Sequence, residues 1–458
     1  MKRAIIYMAA AAMIVNAGCK KTYDDTVGGK TADQRVSEVM AAYQKKLMGA
    51  TYGWIFVEST TGIAYNQGVS QTGPSIVLAY YMQFVDSTKV LMLSDFDTSM
   101  AATPKTSGYR VKALTRPALI FDTYNYLHVP CDPDPRISKS PFGTGYGWGT
   151  DFEYTFADST VPTDAGDTLR LVGNLNGAQG LLIKATQAQH DAYLQGKLKD
   201  EMAGLENINS ILNYFKRLSI GGVNYDIRVD VANKTITFTW ADGSGNIQSQ
   251  TVNYYVTATG LFFFTPVVNG SQTITSIENI TLNGSTVTVT INGQQGQIVG
   301  ATTPVKVDVG APQRWWTYSR DNGYFWGSWQ GFHINGVDDA FGVEGVSSAA
   351  GDFYVYSYWA NYFTNIDLFI PIMFSGNSLF FNNYGSEPRT PQFAGGKAFF
   401  TKLQDATATP TPPGGPIDQS EQMLYNPAGY YLIQTGDKSY DMVLATDAKT
   451  WISWFWPR

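Results

Sequence analysis

Between Gly108 and Pro135 the chain reads GYRVKALTRPALIFDTYNYLHVPCDPDP. Apolar and polar positions alternate up to Ala113, a turn falls at Arg116-Pro117, and Ala118-Leu119-Ile120-Phe121 then run together. Alternation is the period of a strand with one buried face, and a short unbroken apolar run is the pattern of a strand buried on both. The stretch therefore predicts a strand, a tight turn, a second strand and a proline-rich loop. The design returns near Asn253. KVLMLSDF followed by GYRVKALTRPALIFDTYNYLH sits beside KTITFTWAD followed by VNYYVTATGLFFFTPVVNG, so a diverged internal repeat is expected.

The same alternation predicts strands over 54–58, 75–85, 89–94, 108–113, 118–126, 151–157, 167–174 and 178–184, and a second set from Asn224 to Ile291. Short polar turns such as Asp86-Ser87-Thr88 and Asn283-Gly284 separate them, which implies antiparallel neighbours. Two stretches change period. Val36, Val39, Met40, Tyr43 and Leu47 mark an amphipathic helix from Ala32 to Ala50, with Lys45 and Lys46 at its C-terminal end where the helix dipole favours cations. Leu194 to Phe215 repeats at three to four residues and predicts one or two helices between two β lobes. The fold expected is mainly β (α+β), with two or three antiparallel lobes, an N-terminal helix and a helical joint near 186–218. The boundaries read as a signal peptide at 1–18, a tether at 19–31 and lobes at 32–218, 219–310 and 311–458. The third lobe is the most aromatic, and TPTPPGGP from Thr409 to Pro416 reads as a stiff exposed loop.

Composition narrows the function. Only 15% of the 458 residues are charged while 14% are aromatic, and the net charge is −6. That argues against a nucleic-acid partner, which would need a basic patch, and favours large packed cores. Lys2 and Arg3 precede an apolar run from Ala4 to Val15, too short to span a bilayer as a helix. Ala17-Gly18-Cys19 follows. Small residues before a cysteine resemble a lipoprotein signal with Cys19 as the acylated N-terminus, although Asn16 stands where leucine is usual. Lys20 to Asp25 resembles the export segment of surface lipoproteins in Bacteroidota. Removal of the signal leaves Cys131 as the one cysteine, so no intramolecular disulfide forms.

Tyr52-Gly53-Trp54, Tyr81-Met82-Gln83-Phe84, Val90 to Asp95 and, most specifically, Phe121-Asp122-Thr123-Tyr124-Asn125-Tyr126-Leu127-His128 before Asp132-Pro133-Asp134-Pro135 resemble a Bacteroidota lipoprotein family, domain of unknown function 4302. Val129-Pro130-Cys131 departs from the more aliphatic link expected there. The resemblance implies an outer-membrane lipoprotein, often encoded beside SusC/SusD-type nutrient-import pairs and sometimes beside lipoprotein metallopeptidases. It supplies no established activity and no functional residues.

Candidate chemistry is sparse. His128, His190 and His333 are far apart and fall in no zinc-binding or triad pattern, so no metal, cofactor or catalytic residue is expected. Asp122, Asp132 and Asp134 could serve a hydrolase only with an unrecognised partner; as turn residues they would cap backbone groups. Gly143 to Gly149, GTGYGWG, lacks the lysine and the strand-to-helix setting of a phosphate loop. Its Tyr146 and Trp148, with Trp315, Trp316, Trp326 and Trp329, are the candidate ligand-binding residues: an indole face stacks on a sugar ring. The competing reading is that these rings pack in the core. The function expected is capture of a glycan or peptide as an accessory to a SusC/SusD-type system, anchored through Cys19 in the outer membrane and exposed on the cell surface. A hydrolase of surface polymers and a structural or adhesive protein are the alternatives.

Overall fold

The computed structural model describes residues 29–114, 116–158 and 166–457. The signal peptide, Cys19 and most of the tether lie outside the described residues. The first helix, Ala32–Met48, starts at a capping box in which Thr31 accepts from Gln34 N–H and Gln34 reaches back to Thr31 N–H. Tyr43 and Leu47 are buried, and Tyr43 stacks on Phe156 with ring centroids 3.8 Å apart. Val36 is 41% exposed, so only the C-terminal half of the expected apolar face is covered.

Five residues later the first β lobe begins at Trp54–Ser59. Val77–Phe84, Lys89–Ser94 and Lys105–Gly108 follow, then Arg110–Ala113, Pro117–Ile120, Glu153–Phe156, Thr168–Gly173 and Gln179–Lys184. Each strand pairs antiparallel with its neighbour in this order, except Lys105–Gly108 with Arg110–Ala113, and the last pairs back onto the first. The sheet's two edges, Lys105–Gly108 and Arg110–Ala113, are consecutive in the chain and meet at buried Tyr109. One bent segment therefore closes an up-and-down ring of eight strands. Phe56, Tyr80, Met82, Tyr154 and Leu182 fill the inside. Ile55, Val57, Tyr81 and Leu93 point the other way and join the core of the next lobe, as alternation requires of strands buried on both faces.

The helix Lys197–Asn209 and another five-residue link lead to a closed barrel of eight strands from Phe215–Ile220 to Gln294–Ala301. Again the last strand pairs with the first. The expected repeat is thus a tandem of two helix-plus-meander units. The two stretches that resemble each other, KVLMLSDF with GYRVKALTRPALIF and KTITFTWAD with VNYYVTATGLFFF, occupy the third to fifth strands of each ring. The third lobe repeats the plan more loosely. The helix Ala311–Asn322 leads into Phe325–Ser328, which pairs with Gly351–Phe363 on one side and with the final strand, Thr450–Phe455, on the other.

Four local expectations change. Only Pro117–Ile120 of the expected strand 118–126 is extended, because Asn125 and the prolines turn the chain into short helices at His128–Cys131 and Pro135–Ser138. Phe215, at the end of the helical period, opens the barrel instead. The helix Ala311–Asn322 was masked by its aromatic content, though Pro312 at its start and Gly323 at φ +55° are helix-boundary signals. Pro416 ends the proline loop but starts the helix Pro416–Leu424.

Candidate functional site

The seam between the second barrel and the third lobe is knit by short bonds. Tyr214 N–H donates to Ala448 O (2.6 Å), Asn213 Nδ2 to Asp447 O (2.7 Å) and Tyr214 Oη to Asp441 Oδ2 (2.6 Å). Beside the seam runs an open trough in two parts. One part, about 270 Å³, lies on the third lobe and is lined by Trp329, Gln330, Asp339, Ser439 and Ser453 among others. The other, about 770 Å³, faces the barrel and includes Lys216, Arg228, Thr237 and Thr251. His333, Asp338 and Trp451 line both parts.

The tight turn after Phe332–Ile334 shapes the middle of the trough. His333 stacks on Trp451 at 3.6 Å, its Nδ1 lies 2.5 Å from Asp338 Oδ1, and its Nε2 accepts Gly336 N–H at 3.1 Å. Both ring nitrogens are committed to this turn, so the imidazole has no free nitrogen to take a proton from a serine or a water. It is a brace for Trp451.

Trp329 lines the trough. It is 51% exposed, stacks on Phe455 at 4.6 Å with 11° between the planes, and meets Tyr354 edge-on. Its ring is held flat, beside hydroxyl, amide and carboxylate groups. The other candidate tryptophans are core residues, which corrects the stacking expectation for them. Trp148, Trp315, Trp316 and Trp326 are each under 10% exposed. Trp148 donates to Ser138 O, Trp326 to Trp315 O, and Trp316 to the buried Asp367 carboxylate (2.8 Å each). Burial of a large ring with a satisfied N–H is the cheapest use of tryptophan. Tyr146 is half-buried in the first lobe, in the loop Gly143–Gly149. That loop packs on the proline loop: Trp148 N–H donates to Pro130 O (2.8 Å), and a Cβ on Gly147 would overlap the backbone there.

The aspartates of the proline loop are capping groups. Asp132 accepts from Asp134 N–H and Tyr124 Oη. Asp134 caps the helix Pro135–Ser138, and hydrogen bonds from Arg136 hold its carboxyl down at about 2. Asp122 pairs with Arg110. Both aspartates are thus engaged in the loop's own hydrogen bonds. His128 bonds Asn125 and stacks on Phe152 at 4.3 Å. Cys131 bonds Leu127 O and Thr150, and burial pushes its thiol well above the usual range, which disfavours the thiolate. Among the described residues no group of three or more His, Cys, Asp or Glu is placed to hold a metal ion, and no helix is long and apolar enough to cross a membrane.

Sequence reasoning missed Lys216, Arg228, Asp338 and Trp451 as trough residues. They come from three separate strands and a turn, and no local pattern joins them.

Tandem β rings and a third β lobe, with an open trough between the second ring and that lobe, define a multi-lobed antiparallel β protein. The chain belongs to the family described as Domain of unknown function (DUF4302), whose sequence profile matches residues 24–283. The match spans the first ring and most of the second, so the third lobe and its share of the trough lie beyond it. No curated protein matches the chain.

Proposed function

We propose that this protein is a lipoprotein of the outer membrane, anchored at Cys19 and displayed on the cell surface, that captures a glycan as an accessory to a SusC/SusD-type import system. The observation that carries the capture reading is Trp329: a half-exposed indole, clamped flat by Phe455, at the entrance to a trough with polar walls. The C–H bonds on one face of a sugar ring meet the negative face of an indole, and nearby amides and carboxylates take the hydroxyls. No step of capture needs a catalytic group. Anchoring is supported by the short apolar run before Ala17-Gly18-Cys19; several acyl chains on one cysteine hold a protein stably, at about 0.8 kcal/mol per buried methylene.

The test is a glycan and peptide array with the chain from Lys20 onward and a Trp329→Ala variant. Glycan binding that the variant lowers at least tenfold supports capture. Wild-type binding unchanged by the variant, or no glycan bound, rejects it. Separately, Cys19→Ala should release the chain from the membrane fraction; retention would reject the lipid anchor.

One observation favours a second reading, an adhesive or docking surface. Tyr354, Phe363, Phe374, Leu379, Phe380 and Phe381 are each more than 40% exposed on the third lobe. Exposed apolar groups in such number mark interaction surfaces. Retained surface attachment in Trp329→Ala, with loss in Phe380→Ser, would favour this reading.

A further inference from the structure

We propose that the third lobe forms a two-fold dimer, in which the edge strand Ser378–Phe381 pairs antiparallel with the same strand of a second copy of this chain. This goes beyond glycan capture and does not depend on it. It rests on the docking reading of the exposed apolar groups and names their partner.

Ser378–Phe381 pairs with Ile366–Ser375 and, among the described residues, with no other strand. The turn Gly376-Asn377 joins the two; Ser375 stands opposite Ser378, and Met373 opposite Phe380. Just past the strand, Asn382 N–H donates to Pro371 O at 2.9 Å. Hydrogen-bonded and non-bonded pairs alternate along antiparallel strands, so 371/382, 373/380 and 375/378 are the bonded pairs. The N–H and C=O groups of Leu379 and Phe381 therefore point away from the hairpin, off the edge of the sheet. All four residues of the strand are exposed. An unpaired edge is a template for another strand, and folded chains blunt it with lysine, proline or a bulge. Lys402–Asp405, at an end of the same sheet, carries a lysine and an aspartate. Ser378–Phe381 carries no charge and no proline.

A second copy complements this edge. A two-fold axis at Phe380 sets Leu379 opposite Phe381 of the second copy. The outward groups of these residues then meet and exchange both N–H···O bonds on each side of the axis. The two Phe380 side chains face each other across the axis on one face of the joined sheet. Leu379 and Phe381 lie on the other face, beside Phe374. The Phe374 ring is 6.3 Å from Tyr354 and the Phe381 ring 6.2 Å from Tyr362, so the apolar surface is continuous. These six side chains, each about half exposed, offer on the order of 500 Å². Two copies together bring about 1,000 Å², the size at which a specific interface begins. Charge agrees. A chain of net charge −6 repels its own copy, yet no residue from Leu368 to Ser386 is charged. Other occupants fit less well. The hairpin tip, Ser375-Gly376-Asn377-Ser378, is polar and would have to enter a bilayer first. Phenylalanine and leucine offer no partner to the hydroxyls of a sugar.

The experiment is sedimentation velocity of the chain from Lys20 onward over a range of concentrations. The expected result is a monomer–dimer equilibrium in which the dimer dominates by about 100 μM. Phe380→Lys and Phe380→Glu each set two like charges at the axis and should each weaken the dimer at least about tenfold. Mixing the two variants should restore a dimer, which a loss of fold would not allow. Leu379→Pro removes an outward N–H and no hairpin bond, so it should weaken the dimer and leave the melting temperature near that of the wild type. A wild type that stays monomeric overturns the inference, and the docking reading is then decided by the attachment assay of Phe380→Ser. A dimer that the Phe380 charges or Leu379→Pro leave intact overturns it as well, as do Lys and Glu variants that stay apart on mixing. Monomers that co-sediment with phosphatidylethanolamine–phosphatidylglycerol vesicles, and lose this with Phe380→Lys, would give the patch to a membrane and overturn the inference.

Discussion

Lys234 Nζ lies 2.5 Å from Asp95 Oδ2, and both side chains are buried where the first ring meets the second. Asp95 follows the third strand of one ring; Lys234 precedes the third strand of the other. The carboxylate also accepts Ala79 N–H from its own ring (2.8 Å) and Val256 N–H from the other (2.7 Å). Three groups from two lobes thus converge on one aspartate. Burial pulls the Lys234 amine down while Asp95 pulls it up, with burial the larger cause. Removing one partner of such a pair leaves a buried charge alone, which costs about 3–5 kcal/mol. Lys234→Met should therefore lower stability by that order, and Asp95→Asn with Lys234→Met should recover a good part of it. Denaturant unfolding of the two variants measures both; equal loss in the single and double variants would show that the pair does not hold the rings together.

Glu58 makes the first ring sensitive to alkali. It is fully buried; Oε1 accepts from Asp151 N–H and Tyr154 Oη, and Oε2 has no hydrogen-bond partner. Burial raises its carboxyl to about 8. The folded pKa lies above the unfolded one, so the folded state binds more protons. Its contribution to stability is fully present below about 4.5, falls as pH rises, and is lost once pH passes the folded value. The wild type should lose stability between pH 5 and 8, and Glu58→Gln should flatten that slope and stabilise the protein at pH 8 by on the order of a few kcal/mol. Melting temperature against pH for the two proteins decides it.

The tryptophans divide sharply. Trp316→Ala removes a buried ring and one of three donors to the Asp367 carboxylate, which is raised to about 6 by burial and keeps Tyr358 Oη and Asn361 N–H. Its expected cost is about 3–5 kcal/mol of stability. Trp329→Ala removes a half-exposed ring and should change stability by under about 1 kcal/mol while lowering ligand affinity. Thermal melts run beside binding titrations separate these outcomes. A folded Trp316→Ala protein that has lost only binding would contradict this division.

A Cβ at Gly173 would overlap the Asp151 carboxylate. That carboxylate accepts N–H groups of Leu175, Asn176 and Ala178 and so folds the turn between two ring strands. Gly173→Ala should displace Asp151, destabilise the first ring and raise amide exchange at 174–178; unchanged exchange there would count against this role for the glycine.

The sequence by itself determined the class of fold, because alternation and turn chemistry are local. It marked the strands around Gly108, the helix from Ala32 and a repeat whose third to fifth strands correspond in both rings. Asp132 and Asp134 as capping residues were equally legible, since an aspartate beside a proline turn bonds its own backbone. Ring closure was not, because pairing of the first strand with the last joins residues more than a hundred positions apart in the first ring. The fate of the tryptophans was decided by tertiary structure for the same reason. Trp316 and Trp329 look alike in sequence, but one falls on the inner side of a helix and the other at the rim of a sheet. The trough is set by long-range packing alone: Lys216 and Arg228 of the barrel line one cleft with His333 and Trp451 only when the barrel docks on the third lobe, and no spacing along the chain records that arrangement.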